Sequence, residues 1–427
     1  MRKTMFAKYK AKFLQGLKEF IESLAFFGKW LLLAAGVGII TGILGAGFYF
    51  CLSQATTFRQ MYPVLILGLP VGGLMIVWIY RACGREHEKG TNTVIAAVRQ
   101  EDTISWKMAP LIFVSTIITH FFGGSAGREG AALQMGGSIG NGIAQTFKMD
   151  KKSVTMMIMC GMSGMFAALF GTPMASAIFA MEMVSVGILY YAALVPCVVS
   201  SLVAAEVAKA LGGHAEHFTV LDMPALSFQS IWKVVVLAML CAGLSIVFCT
   251  VLQLAEKIIE GKIKSPYLRV VTSGILIILI TILINTDDYM GAGVHVIERA
   301  MTGEVRPEAF LLKMLLTALT LGAGFKGGEI VPTLFIGSTF GCLMGQILGL
   351  SPSLCAAVGM TALFCGVTNS PIASLLLSLE MFGMEVWPYM LLAVAISYML
   401  SGYKSLYKSQ RIVYSKLSPE FMKENNT

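Results

Sequence analysis

Charge is what this chain lacks most. Of its 427 residues only 13% are Asp, Glu, Lys or Arg, about half the share found in soluble domains. That shortage excludes a soluble globular protein, and a disordered chain would need more polar residues still. The charges are also absent in blocks. None occurs from Trp30 to Phe58, Met61 to Tyr80, Ser153 to Met181, Met183 to Ala205, Val234 to Ala255 or Ile330 to Leu379. About 20 apolar residues suffice for a helix to cross the hydrocarbon of a bilayer, so these runs predict an all-α polytopic membrane protein. The nine cysteines include no C-x-x-C pair and have no regular spacing, which leaves neither a zinc signature nor a disulfide framework. The net charge of +8 is therefore a matter of membrane orientation and not of nucleic-acid binding.

The positive charge is gathered at a few places. Residues 1–29 hold seven Lys or Arg against two Glu, which places the N-terminus in the cytoplasm by the positive-inside rule. The segment is too broken in its apolar stretch for a signal peptide. It reads as an amphipathic surface helix with Phe6, Phe13, Leu17 and Phe20 on its apolar side. A second basic patch spans Lys257 to Arg269. A third comprises Lys404, Lys408, Arg411 and Lys416, so that residues 404–427 read as a C-terminal helix and cytoplasmic tail.

The chain repeats itself. Gly161–Met183 (GMSGMFAALFGTPMASAIFAMEM) aligns with Gly359–Met381 (GMTALFCGVTNSPIASLLLSLEM) at an offset of 198, with eight of 23 positions identical. Upstream, Gly127–Gln145 corresponds to Gly327–Gln346 with one residue inserted. Two matches at nearly one offset predict two halves, residues 30–213 and 229–403. Repeats in transporters are commonly related by a pseudo-two-fold axis in the membrane plane, with the substrate at their interface. Gly123-Gly124, Gly322 to Gly328, Gly171-Thr172-Pro173 and Ser370-Pro371 interrupt apolar segments. They predict broken helices whose ends meet inside the bilayer, where irregular backbone is tolerated only if it lines a protein cavity.

Two of these breaks carry an acid. Gly123-Gly124-Ser125-Ala126-Gly127-Arg128-Glu129-Gly130 leads into an apolar helix. Glycines admit close approach of an ion, and a helix start offers unpaired N–H groups and partial positive charge. Glu129 is an anion tethered at such a site. Ionised, it can occupy the place of a transported anion; protonated, it can swing away, which makes it gate and proton carrier together. It could also simply favour the helix dipole. Arg128 is either its pairing partner or a snorkelling charge. In the second half, Gly322-Ala323-Gly324-Phe325-Lys326-Gly327-Gly328-Glu329-Ile330-Val331-Pro332 repeats the design. An ionisable side chain beside a long charge-free run is a functional candidate, although Glu329 could instead cap its helix or pair with Lys326.

Gly127-Arg128-Glu129-Gly130 resembles the gating-glutamate motif of the CLC chloride channels and anion–proton antiporters. Gly328-Glu329-Ile330-Val331-Pro332 is similar to that family's G-x-F-x-P anion motif. Gly90-Thr91-Asn92-Thr93-Val94 falls where the family has G-S-G-I-P, and Ser405-Leu406-Tyr407-Lys408 resembles the stretch carrying its inner-gate tyrosine. Glu182 and Glu380 resemble family structural acids. The resemblance implies a CLC-like fold of two inverted-topology repeats built from tilted and broken helices. It also implies a homodimer with one pathway per subunit. Only 20 residues follow Tyr407, so the regulatory nucleotide-binding (CBS) pair of many relatives is not expected.

Three departures narrow the expectation. Thr91, or Asn92 after a one-residue slip, replaces the coordinating Ser. Glu329 stands where chloride proteins have an aliphatic residue, with Ile330 for the usual Phe. Met183 stands where chloride antiporters have their inner proton-relay glutamate. Together these resemble the fluoride-exporting branch, which lacks the Ser and carries a second-half glutamate. The physical case agrees. Fluoride is small, strongly hydrated and a strong acceptor, so its water must be replaced by focused donors; a protonated carboxyl, Thr and Asn can donate. A carboxyl buried without a counter-charge favours its protonated form.

The expected function is fluoride/proton antiport. Glu129 and Glu329 handle protons, and Thr91, Asn92, Gly127, Arg128, Gly130, Gly328, Ile330, Val331 and Tyr407 line the ion. Tyr407 would close the inner end, with Tyr403 and Tyr414 as nearby competitors. A bacterial inner membrane is the expected location, and no cofactor, metal or nucleic acid is needed. The alternative is a chloride or other halide antiporter, or a channel, of the same fold. An intramembrane serine protease is a more distant reading, with Ser163 in Gly161-Met162-Ser163-Gly164 and a base drawn from His214, His217 or His295. His87, in Arg85-Glu86-His87-Glu88, belongs to a solvated loop, and the 27 methionines read as packing.

Overall fold

The computed structural model describes residues 2–86, 88–213 and 215–422, with side chains from residue 12 onward. The expectations placed on His87, His214 and the Phe6 side chain lie outside the described residues. The described residues form sixteen α-helices and one pair of two-residue strands. In the first half these are α1 (Arg2–Met61), α2 (Leu69–Ala82), α3 (Thr91–Val98), α4 (Met108–Phe121), α5 (Glu129–Thr146), α6 (Lys151–Phe170), α7 (Pro173–Glu182) and α8 (Leu194–Ala210). In the second half they are α9 (Phe228–Lys262), α10 (Pro266–Ile284), α11 (Val294–Met301), α12 (Ala309–Ala323), α13 (Ile330–Leu348), α14 (Pro352–Thr368), α15 (Pro371–Phe382) and α16 (Trp387–Leu400).

Local sequence sets the ends of these helices. Asp150 caps α6 by accepting from the Lys152 and Ser153 amides, and α6 stops at Gly171 in the left-handed region (φ +69°). Ser227 forms a reciprocal capping box with Ser230 at α9. Ser351 accepts from Leu354 N at α14, which ends on left-handed Asn369. Proline sits in the first turn of α7, α14 and α15, where its missing N–H is no loss.

Among the described residues, seven helical segments are long and apolar enough to cross a membrane, while α4, α12, α14 and α15 are apolar but no longer than 17 residues. Such short helices must meet others end to end inside the slab. The pairs α5–α6 and α13–α14 pack in the same way in the two halves. A Cβ added at Gly136 would strike the Gly161 carbonyl, and one at Gly337 would strike the Gly359 carbonyl. Gly161 and Gly359 are the residues that open the aligned repeat strings, so the internal repeat is a structural one.

Glu182, at the end of α7, accepts from Ile372 N (3.2 Å) and Ala373 N (2.8 Å) at the start of α15. Glu380, near the end of α15, accepts from Met174 N (2.9 Å) and Ala175 N (2.8 Å) at the start of α7. Each half thus caps a helix of the other.

Two terminal expectations need correction. The first helix has no boundary near residue 29. It runs unbroken through Arg2–Met61, because no proline or capping residue interrupts it there, and at ~1.5 Å per residue it far exceeds the bilayer core. Phe13, Leu17 and Phe20 on it are exposed. Nor do residues 404–422 form a C-terminal helix. Gly402 takes φ +62° after α16, and the backbone beyond it bonds to other elements. Leu406 N donates to Val367 O, Ser409 N donates to Asn92 Oδ1, and β2 (Arg411–Ile412) pairs parallel to β1 (Ser185–Val186).

Candidate anion and proton site

The starts of α5 and α13 meet at the centre of the chain. Gly127 N donates to Gly328 O (2.6 Å) and Gly328 N donates to Gly127 O (2.7 Å), an isolated antiparallel bridge. Only glycine fits this seam. A Cβ on Gly328 would lie 2.5 Å from Gly130 N, and one on Gly127 would lie 2.8 Å from Glu129 Oε2 and 2.9 Å from Pro332 Cδ. The first-turn amides of both helices have no partner within their own helix, and both dipoles start here. The seam is an anion-attracting point held inside an apolar core.

Both acids stand on it. Glu129 is 1% exposed. Its carboxylate folds back over its own helix start, accepting from Arg128 N (2.9 Å) and pairing with Arg128 Nε (3.3 Å). Glu329 retains part of its surface and leans across the seam, so that a Cβ on Gly130 would come within 2.8 Å of Glu329 Oε2. Lys326 does not pair with it; its ammonium lies 4.6 Å from the centre of the Tyr80 ring. Ile330 (0% exposed) and Val331 (4%) turn into the core. They adjoin the seam through backbone, and the bridge makes the same true of Gly127, Gly130 and Gly328.

Thr91 and Asn92 separate. Thr91 is buried at the start of α3, donating weakly to Gly130 O (3.5 Å) and accepting from Gln134 Nε2 (3.3 Å). Asn92 turns its side-chain oxygen to Ser409 N at 2.9 Å, where it braces the segment that carries Tyr407. Tyr407 is 1% exposed and its hydroxyl has no hydrogen-bond partner among the described residues, yet it lies near enough to Glu329 and Glu129 to feel their charges. Tyr403 bonds Ser415 at an exposed position, and Tyr414 packs on Phe421.

A family model for the voltage-gated chloride channel matches residues 72–402. The chain belongs to the CLC family. It is 32% identical over 405 residues to a chloride/fluoride channel protein of Pseudomonas syringae pv. tomato, covering 93% of this chain and 90% of that one. It is 24% identical over 380 residues to an H(+)/Cl(−) exchange transporter of Vibrio campbellii, covering 82% and 81%. Its fold matches the crystal structure of a CLC-type fluoride/proton antiporter with TM-score 0.87 and 29% identity, over 90% of this chain and 98% of that one. A slow cyanobacterial Cl−/H+ antiporter matches with TM-score 0.76 at 20% identity, over 87% and 94%. The protein is thus a multi-pass membrane protein with the CLC fold of two inverted repeats.

Of the two readings of Arg128, the structure shows the pairing partner, and three site features around it and its neighbours escaped sequence reasoning. Besides Glu129 it bonds Glu216 Oε1 through Nη2 (2.5 Å), and it stacks 5.1 Å from the centre of the Tyr49 ring. Glu216 lies in the polar linker and carried no motif. Gln134 reaches Thr91 from one turn along α5, and four-residue spacing from Gly130 was its only signal. Ser125, in the loop before Glu129, is held by Thr317 and Thr320 of α12. At Met183, where an inner acid is missing, the backbone oxygen accepts from Gln410 Nε2 (2.9 Å). The protease reading loses its nucleophile, because the Ser163 hydroxyl is fully buried and donates to Cys197 O (2.8 Å). His295 pairs with Asp288 instead (3.2 Å).

Proposed function

We propose that the protein exports fluoride in exchange for protons. The observation that carries this reading is the second carboxylate, Glu329, standing against Gly130 at the joined helix starts. A fixed negative charge there would repel a passing anion. A protonated Glu329 instead offers an O–H donor to an ion that demands strong donors. Thr91, the free first-turn amides and the unpartnered Tyr407 hydroxyl are the other donors within the same region. The matched fluoride/proton antiporter supports the same choice, and the name of the Pseudomonas relative includes fluoride beside chloride.

Glu129 is the gate. Ionised, it fills the anion's place; protonated, it leaves, and the proton travels with it. Glu329 lies close enough to Glu129 to feel its charge, which supports handing a proton between them as fluoride moves the opposite way. The protein works as a homodimer with one pathway per subunit, in a bacterial inner membrane, with both termini cytoplasmic. The basic segments at 1–29 and 404–416 support that orientation.

The Thr91 hydroxyl beside Gly130 favours a second reading, a chloride or general halide exchanger, since it stands in for the missing serine. Reconstitution in liposomes separates the two. A fluoride electrode and a pH probe read together should show fluoride efflux with proton uptake, and a chloride gradient should drive little. Equal coupling to chloride would select the halide exchanger, and fluoride efflux without proton movement would overturn antiport.

A further inference from the structure

The linker between the halves, residues 211–227, places a third carboxylate at the gate. It is tied down at Glu216 and at two points beyond it. Glu216 N donates to Phe170 O at the end of α6 (3.1 Å), Phe218 N to Met381 O in α15 (2.9 Å), and Leu221 N to Ser353 Oγ in α14 (2.9 Å). The strap therefore spans both repeats and holds Glu216 in a defined place. From there its Oε1 takes Arg128 Nη2 at 2.5 Å, while Arg128 Nε reaches Glu129 Oε1 at 3.3 Å. The side chains grade outward. Glu129 is 1% exposed, Arg128 13% and Glu216 19%.

One cation is thus divided between the gating acid and an acid whose backbone is held by the strap. Were Arg128 bound to Glu129 alone, it would hold the ionised gate closed and would be left as a bare buried cation each time the gate opened. A bare cation at the mouth would trap the anion it should release.

We propose that Glu216 is a positioning residue of the gate, retaining Arg128 at the mouth so that Glu129 can leave without its counter-ion. When Glu129 is protonated and swings out, Arg128 and Glu216 remain a neutral pair and the mouth carries no net charge. The charged and titratable groups close enough to couple with Glu129 are Arg128, Glu216, Glu329 and Tyr407, while Tyr49 of α1 stacks on Arg128 and His120 of α4 is close enough to feel the Arg128 charge. Of these, Glu216 is the acid that contacts Arg128 from outside the seam.

The test rests on the antiport reading and uses full-length protein in liposomes, with fluoride and proton fluxes recorded across a pH series. Glu216→Gln gives Arg128 wholly to Glu129, which favours ionised Glu129. Exchange should slow several-fold at neutral pH, and its pH profile should move to lower pH by about half a unit or more. Glu216→Asp should recover most of the rate. In an Arg128→Gln background, Glu216→Gln should add nothing, since no cation remains to retain. A Glu216→Gln protein with the wild-type rate and profile overturns the proposal while leaving antiport intact. So does a slowing that persists unchanged beside Arg128→Gln, because that is a structural defect of the strap. Wild-type protein that moves fluoride without protons overturns both the proposal and the antiport reading.

Discussion

Gly127 and Gly328 exchange two backbone hydrogen bonds, at 2.6 and 2.7 Å, and by that exchange two helix starts from different halves meet at one point. The bridge explains why the motifs around both residues are glycine-rich. The amides aimed at the seam belong to chain segments some 200 residues apart, and any side chain between them would separate them.

Gly328→Ala should therefore abolish transport in a protein that still folds. The new Cβ would meet Gly130 N at 2.5 Å and Glu129 N at 2.9 Å, backbone atoms that cannot rotate away. Flux in liposomes should fall at least ~100-fold, in keeping with an oriented site displaced by about an ångström, while the elution profile in detergent stays monodisperse. Near-normal flux would mean the bridge is not required.

Glu129→Gln should uncouple the two ions. The amide is neutral and nearly isosteric, so it neither competes as an anion nor carries a proton. Proton uptake should vanish at every pH while residual fluoride flow continues. Proton movement against its gradient, driven by fluoride, in this variant would remove Glu129 from the mechanism.

Glu329→Ile should restore the aliphatic residue of chloride-type motifs. Apparent fluoride affinity should weaken ~10-fold or more, since one hydrogen bond to an ion is worth about 1.5–3 kcal/mol. Chloride should compete better than in the parent. Competition assays with the two halides read both effects, and unchanged selectivity would count against a donor role.

Glu182→Ala should damage stability without touching the seam. It strands two amides at the start of α15, Ile372 N and Ala373 N, at a cost of about 3 kcal/mol. Thermal unfolding in detergent should show a drop larger than that of Glu380→Ala, because the Glu182 carboxylate is buried (6% exposed), whereas Glu380 is only partly buried and water can more readily replace its lost acceptor.

Much of this was legible in sequence for a physical reason. Glu129 and Glu329 stood out because charge is scarce and each follows a glycine cluster and precedes an apolar run, the pattern of an ion site at a helix start. Glu182 and Glu380 stood out through the repeat. Glu216, Gln134 and the turn of Asn92 toward Ser409 were hidden. Their meaning depends on partners 88, 43 and 317 residues away, and a polar residue in a polar linker has no local pattern to betray it. The segment after Leu400 misled because its basic residues suggest a helix and tail. Its backbone bonds instead to α14, to the Asn92 side chain and to β1.

The exchange of carboxylates between α7 and α15 has a bearing on how the molecule is made. The acceptor for the amides of Ile372 and Ala373 is synthesised about 190 residues before them, and the acceptor for those of Met174 and Ala175 about 205 residues after them. While a ribosome is still translating the latter part, the earlier part carries an uncapped helix tip. Biogenesis of this chain therefore waits on its last third, and truncation products should be cleared by quality control instead of persisting as half-transporters.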